Sequence, residues 1–268
     1  MSKIIAIDAG HGMGTAGKRC LKSIDPNETR EWFLNDRIAD RLEELLAEYD
    51  CQTVRLDDTT GAKDISLSAR VKTANAVKAD RCIHIHHNAG IKGGKGGGMV
   101  VYYYSNDAAR MEQAQALYNA VVAQTGLRGN RYSTVIKNGF YVLKHTTMPA
   151  FLIENGFMDS QTDTPVILTA DHAEKTAQGI LAFLIKDLDL VKTDGQTSPT
   201  EPQEGIYFPA YTGKKTTLSA AMSSLGLNST YSYRKQIAKA NNITGYTGTA
   251  AQNTRMYNLL AAGLLKRP

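Results

Sequence analysis

Apolar positions in the first 190 residues follow two alternating periods. Short runs with strand character occur at KIIAID (3–8), CQTVRLDD (51–58), RCIHIHHN (81–88), GGGMVVYYY (96–104) and MPAFLIENGF (148–157). Between them lie segments with helical spacing. REWFLNDRIADRLEELLAEY (30–49) places Trp32, Phe33, Ile38, Leu42, Leu45 and Leu46 on one face. SLSARVKTANAVKA (66–79) predicts a helix with Ser66 as its N-cap. NDAARMEQAQALYNAVVAQTG (106–126) predicts one closed by Gly126, and DHAEKTAQGILAFLIKDL (171–188) another. Strand–helix alternation of this kind predicts an α/β fold, a mixed and largely parallel sheet with helices on both faces.

The pattern stops at VKTDGQTSPTEPQEG (191–205), where Val191 is the one apolar residue. We read this stretch as a linker between a first domain, 1–190, and a small, mainly helical one, 206–268. The second has helical runs at 216–227, 233–243 and 250–265 and a high density of tyrosine. Charge divides at the same place. From Gln203 to Pro268 there are eight Lys/Arg and one acidic residue, a balance of +7. The remainder carries 23 basic and 25 acidic residues, a balance of −2. Two parts with different partners are expected.

Composition narrows the class. Hydrophobic content of 42% and charged content of 21% suit a globular chain, and no run approaches the ~20 apolar residues of a membrane span. The opening MSKIIAIDAGHG reads as a buried strand, not a signal peptide, so synthesis in the cytoplasm and action after release are expected. Three cysteines, Cys20, Cys51 and Cys82, form no disulfide framework, and Cys51 and Cys82 are expected in the core.

Ligands in open α/β sheets collect outside the carboxyl ends of the strands. One candidate strand runs out at Asp8 into Gly10-His11, another at His86-His87-Asn88, a third at Glu154-Asn155-Gly156. If those ends are neighbours, His11, His86 and Glu154 meet in one crevice. Two imidazoles and a carboxylate around an open position describe a catalytic zinc site. Glu154 could be a ligand or the base, and Glu28 or Glu31 could supply a further carboxylate. Taken singly each residue has a plainer role: His11 in a loop, Glu31 in an exposed first helical turn, Glu154 in an ion pair.

Five segments, IAIDAGHG, EWFLNDRIADRL, LSARVKTAN, IHIHHNA and MPAFLIENGF, resemble in order and spacing the zinc-dependent N-acetylmuramoyl-L-alanine amidases, the peptidoglycan amidases of bacterial autolysins and phage endolysins. The resemblance covers residues 1 to about 188 and implies a phosphorylase/hydrolase-like α/β fold. It further implies one Zn2+ held by His11, Glu31 and His86, with Glu154 as catalytic acid/base, cleaving the amide between N-acetylmuramic acid and L-alanine. Glu31 is preferred to Glu28 for its four-residue spacing to Asn35. His84 stands where the family usually has serine. It shares a face with His86, as a partner beneath the metal or as a buried, hydrogen-bonded histidine, while His87 points the other way, toward the rim. Asn88 is a candidate donor to the oxyanion, and Arg70 supports either the fold or the substrate. His145 and His172 match no motif and are read as surface or structural.

The basic C-terminal part is similar to small modules of phage lysins. It suggests binding of anionic wall polymers, with dimerisation or simple tethering as the other use; neither nucleic acid nor membrane is expected as a partner. The alternatives for the whole chain are a wall-binding protein with an inactive amidase-like domain and a zinc peptidase acting on the stem peptide.

Overall fold

The computed structural model describes residues 2–193, 207–215, 217–246, 248 and 250–268. The chain divides into two compact units, Met1–Asp194 and Gly195–Pro268. Most of the stretch read as a linker, 194–205, lies outside the described residues. Its first three residues are fastened to the first unit: Asp50 N donates to Val191 O (3.0 Å), Val191 N to Asp50 Oδ1 (2.9 Å) and Thr193 N to Glu48 O (3.0 Å).

The first unit is an α/β fold built on one six-stranded sheet. Its strands are β1 (Lys3–Ala9), β2 (Cys51–Arg55), β3 (Arg81–Asn88), β4 (Met99–Tyr103), β5 (Val135–Lys137) and β6 (Ala150–Phe157), in spatial order β2-β1-β3-β6-β4-β5. Only the β4–β6 pair is antiparallel. The mixed, largely parallel sheet read from the alternation is the one observed. Parallel central strands are covered on both faces, which is why β1 and β3 read as nearly continuous apolar runs.

One face presents Ala6, Cys82, Ala150 and Leu152. It packs on α2 (Leu67–Ala76) and α4 (Tyr141–Lys144) through Val71, Ala74, Val142 and Leu143. The opposite face, carrying Ile5, Ile7, Ile83, Ile85, Phe151 and Ile153, is covered by α1 (Glu31–Leu46), α3 (Ala108–Thr125) and α6 (Ala170–Leu188), which also pack on one another. Ser66 caps α2 by accepting from Ala69 N, and Gly126 ends α3 in the left-handed region (φ 69°). β5, α4 and α5 (Thr164–Ile167) have three or four residues each, too few for a period to show in sequence. Cys82 and Cys20 are buried, but Cys51 is only half-buried, because its strand lies at the sheet edge.

Where α3 and α6 cross, Gly179 admits the neighbouring backbone: a Cβ there would lie 2.5 Å from Val121 Cα. Gly179→Ala gains up to about 1 kcal/mol of helix propensity, but the overlap is with backbone, which cannot rotate away. We expect a net loss of about 1–3 kcal/mol, read as a lowered denaturation midpoint.

The second unit contains α7 (Leu218–Ser224), α8 (Tyr231–Ala240) and α9 (Ala250–Ala261) around its own core of Phe208, Met222, Ile237, Met256, Leu260 and Leu265. An isolated bridge between Tyr207 and Lys266 joins the first and last parts of the unit's described residues.

Candidate metal centre

The site forms where β1, β3 and β6 end. Parallel registry sets His86 beside Glu154 and Asp8 beside His84. The two-residue repeat puts Cys82, His84 and His86 on one face, and a register shift follows between His86 and Asn88. Gly10 lies against the His86 ring so closely that a Cβ would stand 2.1 Å from Cε1. His11 then turns with φ 69°, a left-handed conformation that a non-glycine residue adopts only when its surroundings hold it.

Arg70 is the holder. Its side chain, 2% exposed, pairs with Asp8 and donates to Ala9 O (3.1 Å), His11 O (3.0 Å), Ile65 O (2.8 Å) and Asp64 Oδ1 (3.1 Å). These contacts support the fold, and Arg70 also lines the cavity that holds His11, His86 and Glu154. His84, fully buried, completes the chain of contacts, with Nδ1 2.7 Å from Asp8 Oδ2 and Nε2 3.2 Å from Cys82 Sγ. Burial lowers the His84 pKa, but Cys82 and Asp8 outweigh it and push it up to about 10. Burial raises the Asp8 carboxyl, but its contacts with His84 and Arg70 hold it well below the usual carboxylate range.

Glu31 is the first residue of α1, and no side chain caps that helix; its own amide donates to Lys18 O (3.0 Å). The carboxylate, 1% exposed, therefore sits over the strand ends. Oε1 lies 3.1 Å from His86 Nδ1 and 3.4 Å from His11 Nε2, and Lys18 Nζ is 3.7 Å from Oε2. One ligand atom from each of His11, Glu31 and His86 falls within a common 4.8 Å. The competitor Glu28 is turned away and pairs with Arg19 and Lys22. Burial raises the Glu31 pKa, yet the two imidazoles hold it far below the ordinary value; His86 is lowered, chiefly by burial.

Glu154 faces the same cavity, of about 570 Å3, with Lys18, Leu67, Phe140 and Tyr141 among its walls. Burial, with the charge of Glu31 added, pushes the Glu154 pKa up to about 8. His11 Nε2, Glu31 Oε2 and Glu154 Oε2 are buried without a well-aligned hydrogen-bond partner. Such groups are costly unless something binds them. Two imidazoles, a carboxylate and orphaned buried atoms suit a divalent cation of zinc type.

His87 is not at the rim. It is buried on the α1 side, with Nδ1 2.8 Å from Asn35 Oδ1, because α1 and α6 cover that face. Asn35 Nδ2 also donates to Gly10 O (3.1 Å), so one side chain on the helix of Glu31 ties down both histidine segments. His172 is buried too, its ring 6.3 Å from that of His87, while His145 is exposed. Asn88 Oδ1 accepts from Ala89 N (2.8 Å), and Asn88 is not among the residues lining the cavity. Lys18 and the Phe140–Tyr141 wall were not singled out in the sequence. Lys18 sits in a loop without periodicity, and Asp8 was read as a strand end without its partners Arg70 and His84.

The family described as N-acetylmuramoyl-L-alanine amidase matches residues 5–186. An endolysin of Bacillus phage SPP1 is 28% identical over 204 residues, covering 74% of this chain and 71% of that protein. The N-acetylmuramoyl-L-alanine amidase CwlM of Bacillus licheniformis is 30% identical over 189 residues, covering 70% of each chain. Among solved structures, an N-acetylmuramoyl-L-alanine amidase from Clostridium difficile 630 is 28% identical with a TM-score of 0.62, covering 72% of this chain and 99% of its own. The catalytic domain of CwlV from Paenibacillus polymyxa is 26% identical with a TM-score of 0.61, covering 70% and 98%. With that match spanning most of the first unit, the chain belongs to the N-acetylmuramoyl-L-alanine amidase family.

Proposed function

We propose that the first unit is a zinc-dependent, endolysin-like peptidoglycan amidase, cleaving the bond between N-acetylmuramic acid and L-alanine. The observation that supports the zinc reading is the convergence of His11, Glu31 and His86 within 4.8 Å, with His11 and His86 lining one cavity with a carboxyl, Glu154, whose pKa is raised to about 8. A zinc ion held by those three side chains would supply Lewis acidity and lower the pKa of water toward ~7. Glu154 accepts the proton of the attacking water and returns it to the departing alanine nitrogen. Its raised pKa suits both halves of that exchange near neutral pH. Arg70, Asp8 and His84 hold the His11 loop, and Asn35 holds the Gly10 carbonyl. Lys18, 3.7 Å from Glu31 Oε2, offsets the charge of the two carboxylates there.

Purified cell walls are expected to release free amino groups without reducing sugars, and mass spectrometry should find muropeptides cut between the lactyl carbonyl and alanine. A chelator should abolish the release and zinc restore it. Fragments cut within the stem peptide would indicate a peptidase, and no release at all would leave a wall-binding protein. Gly10→Ala drives a methyl into the His86 ring, so zinc affinity by competition titration is expected to fall about 10–100-fold, the range for a perturbed ligand support.

We assign residues 1–190 as the catalytic domain and 206–268 as a wall-targeting domain. No helix among the described residues is long and apolar enough to cross a membrane.

A further inference from the structure

Between Tyr207 and Pro268 there are eight Lys and Arg and no Asp or Glu. Surfaces ordinarily intersperse both signs; here no side-chain carboxylate of the segment can neutralise any of the cations. Two of them mark a particular place. Lys235 and Lys239 stand one turn apart on α8, hence on one face, and both are exposed. They border a cavity of about 570 Å3 whose other wall is the turn of residues 242–246. Ile243 and Tyr246 are buried and give that wall an apolar floor. Gly245 turns through φ 61°, and a Cβ on it would meet nothing within 4 Å, so the space above the turn is open.

Cations at the rim, an apolar floor and no anion suit a ligand whose negative charges alternate with uncharged carbon segments. We infer that this cleft binds a phosphodiester-linked polyol polymer of the bacterial wall and holds the catalytic unit near its substrate. The choice of a wall polymer over nucleic acid rests on the amidase reading above. Phosphates seat against Lys235 and Lys239, and the polyol carbons lie over Ile243 and Tyr246. Binding driven by ammonium–phosphate pairs weakens as salt rises.

The full chain should be titrated calorimetrically with poly(glycerol phosphate) free of peptidoglycan, at low and at physiological salt. Binding is expected, weaker at the higher salt. The double variant Lys235→Glu/Lys239→Glu should lose about tenfold or more in affinity, at roughly 1 kcal/mol per basic contact. Lys235→Arg/Lys239→Arg should retain binding, and Lys214→Glu/Lys215→Glu should lose markedly less than the α8 pair. Circular dichroism and cleavage of a soluble muramoyl peptide should be unchanged in all three. Wild-type affinity in Lys235→Glu/Lys239→Glu would overturn the assignment. So would an equal loss in Lys214→Glu/Lys215→Glu, or single-stranded DNA of equal charge binding as tightly as the polymer. The probe contains no muramoyl amide, so failure to bind it and failure to cleave the wall are scored separately.

Discussion

Glu154→Gln is expected to leave zinc content at the wild-type level and to lower the rate of wall hydrolysis about 10²–10⁴-fold. The substitution keeps shape and removes only the ability to take a proton. Because His11, Glu31 and His86 are untouched, metal analysis and activity should separate cleanly. Normal turnover in this variant would remove the acid/base role. The same variant tests the electrostatics of the chelator-treated protein. The Glu154 carboxyl rises from 4.5 to about 8 on folding. Between those values the folded state binds more protons than the unfolded one, so stability falls as pH rises through the window. Glu154→Gln cannot lose that contribution. The wild-type melting temperature should therefore drop more steeply than the variant's between pH 4.5 and 8. Parallel curves would mean that the carboxyl is not raised.

Arg70→Met is expected to cost about 3–5 kcal/mol, the penalty for removing one partner of a buried ion pair. It would leave Asp8 buried with His84 as its remaining charged partner and the carbonyls of Ala9, His11 and Ile65 without their donor. Lysine should rescue little, since a single ammonium cannot reproduce the guanidinium fork. The chain has one tryptophan, Trp32, which is 2% exposed in the first unit. Its fluorescence during urea unfolding reports that unit without interference from the second. A loss below about 1 kcal/mol would show that the Asp8–Arg70 pair is replaceable and that something else holds His11 in its left-handed turn.

Much of this was legible in the chain itself. Long segments such as 30–49 and 106–126 bury one side along many turns, so their spacing repeats often enough to be read. Strand ends carrying Asp8, His86 and Glu154 marked the crevice, because parallel strands deliver their carboxyl ends to one edge of the sheet. His87 was misread for a physical reason. Alternation shows that it faces away from His86, but whether that side meets water depends on α1 and α6, which lie far away in sequence. Asn88 was read as a donor toward the substrate; it follows a register shift after His86, and its Oδ1 accepts from Ala89 N.

By itself the sequence determined the α/β class, the division of charge between the two parts and the kind of chemistry, since periodicity and residue type are local properties of the chain. Only the tertiary structure shows Glu31 beside His11 and His86 with Glu28 turned away, the buried contacts of Arg70, and Lys18 beside Glu31. Each of those outcomes depends on where a loop closes and what then lies beside it in space, which no local periodicity encodes.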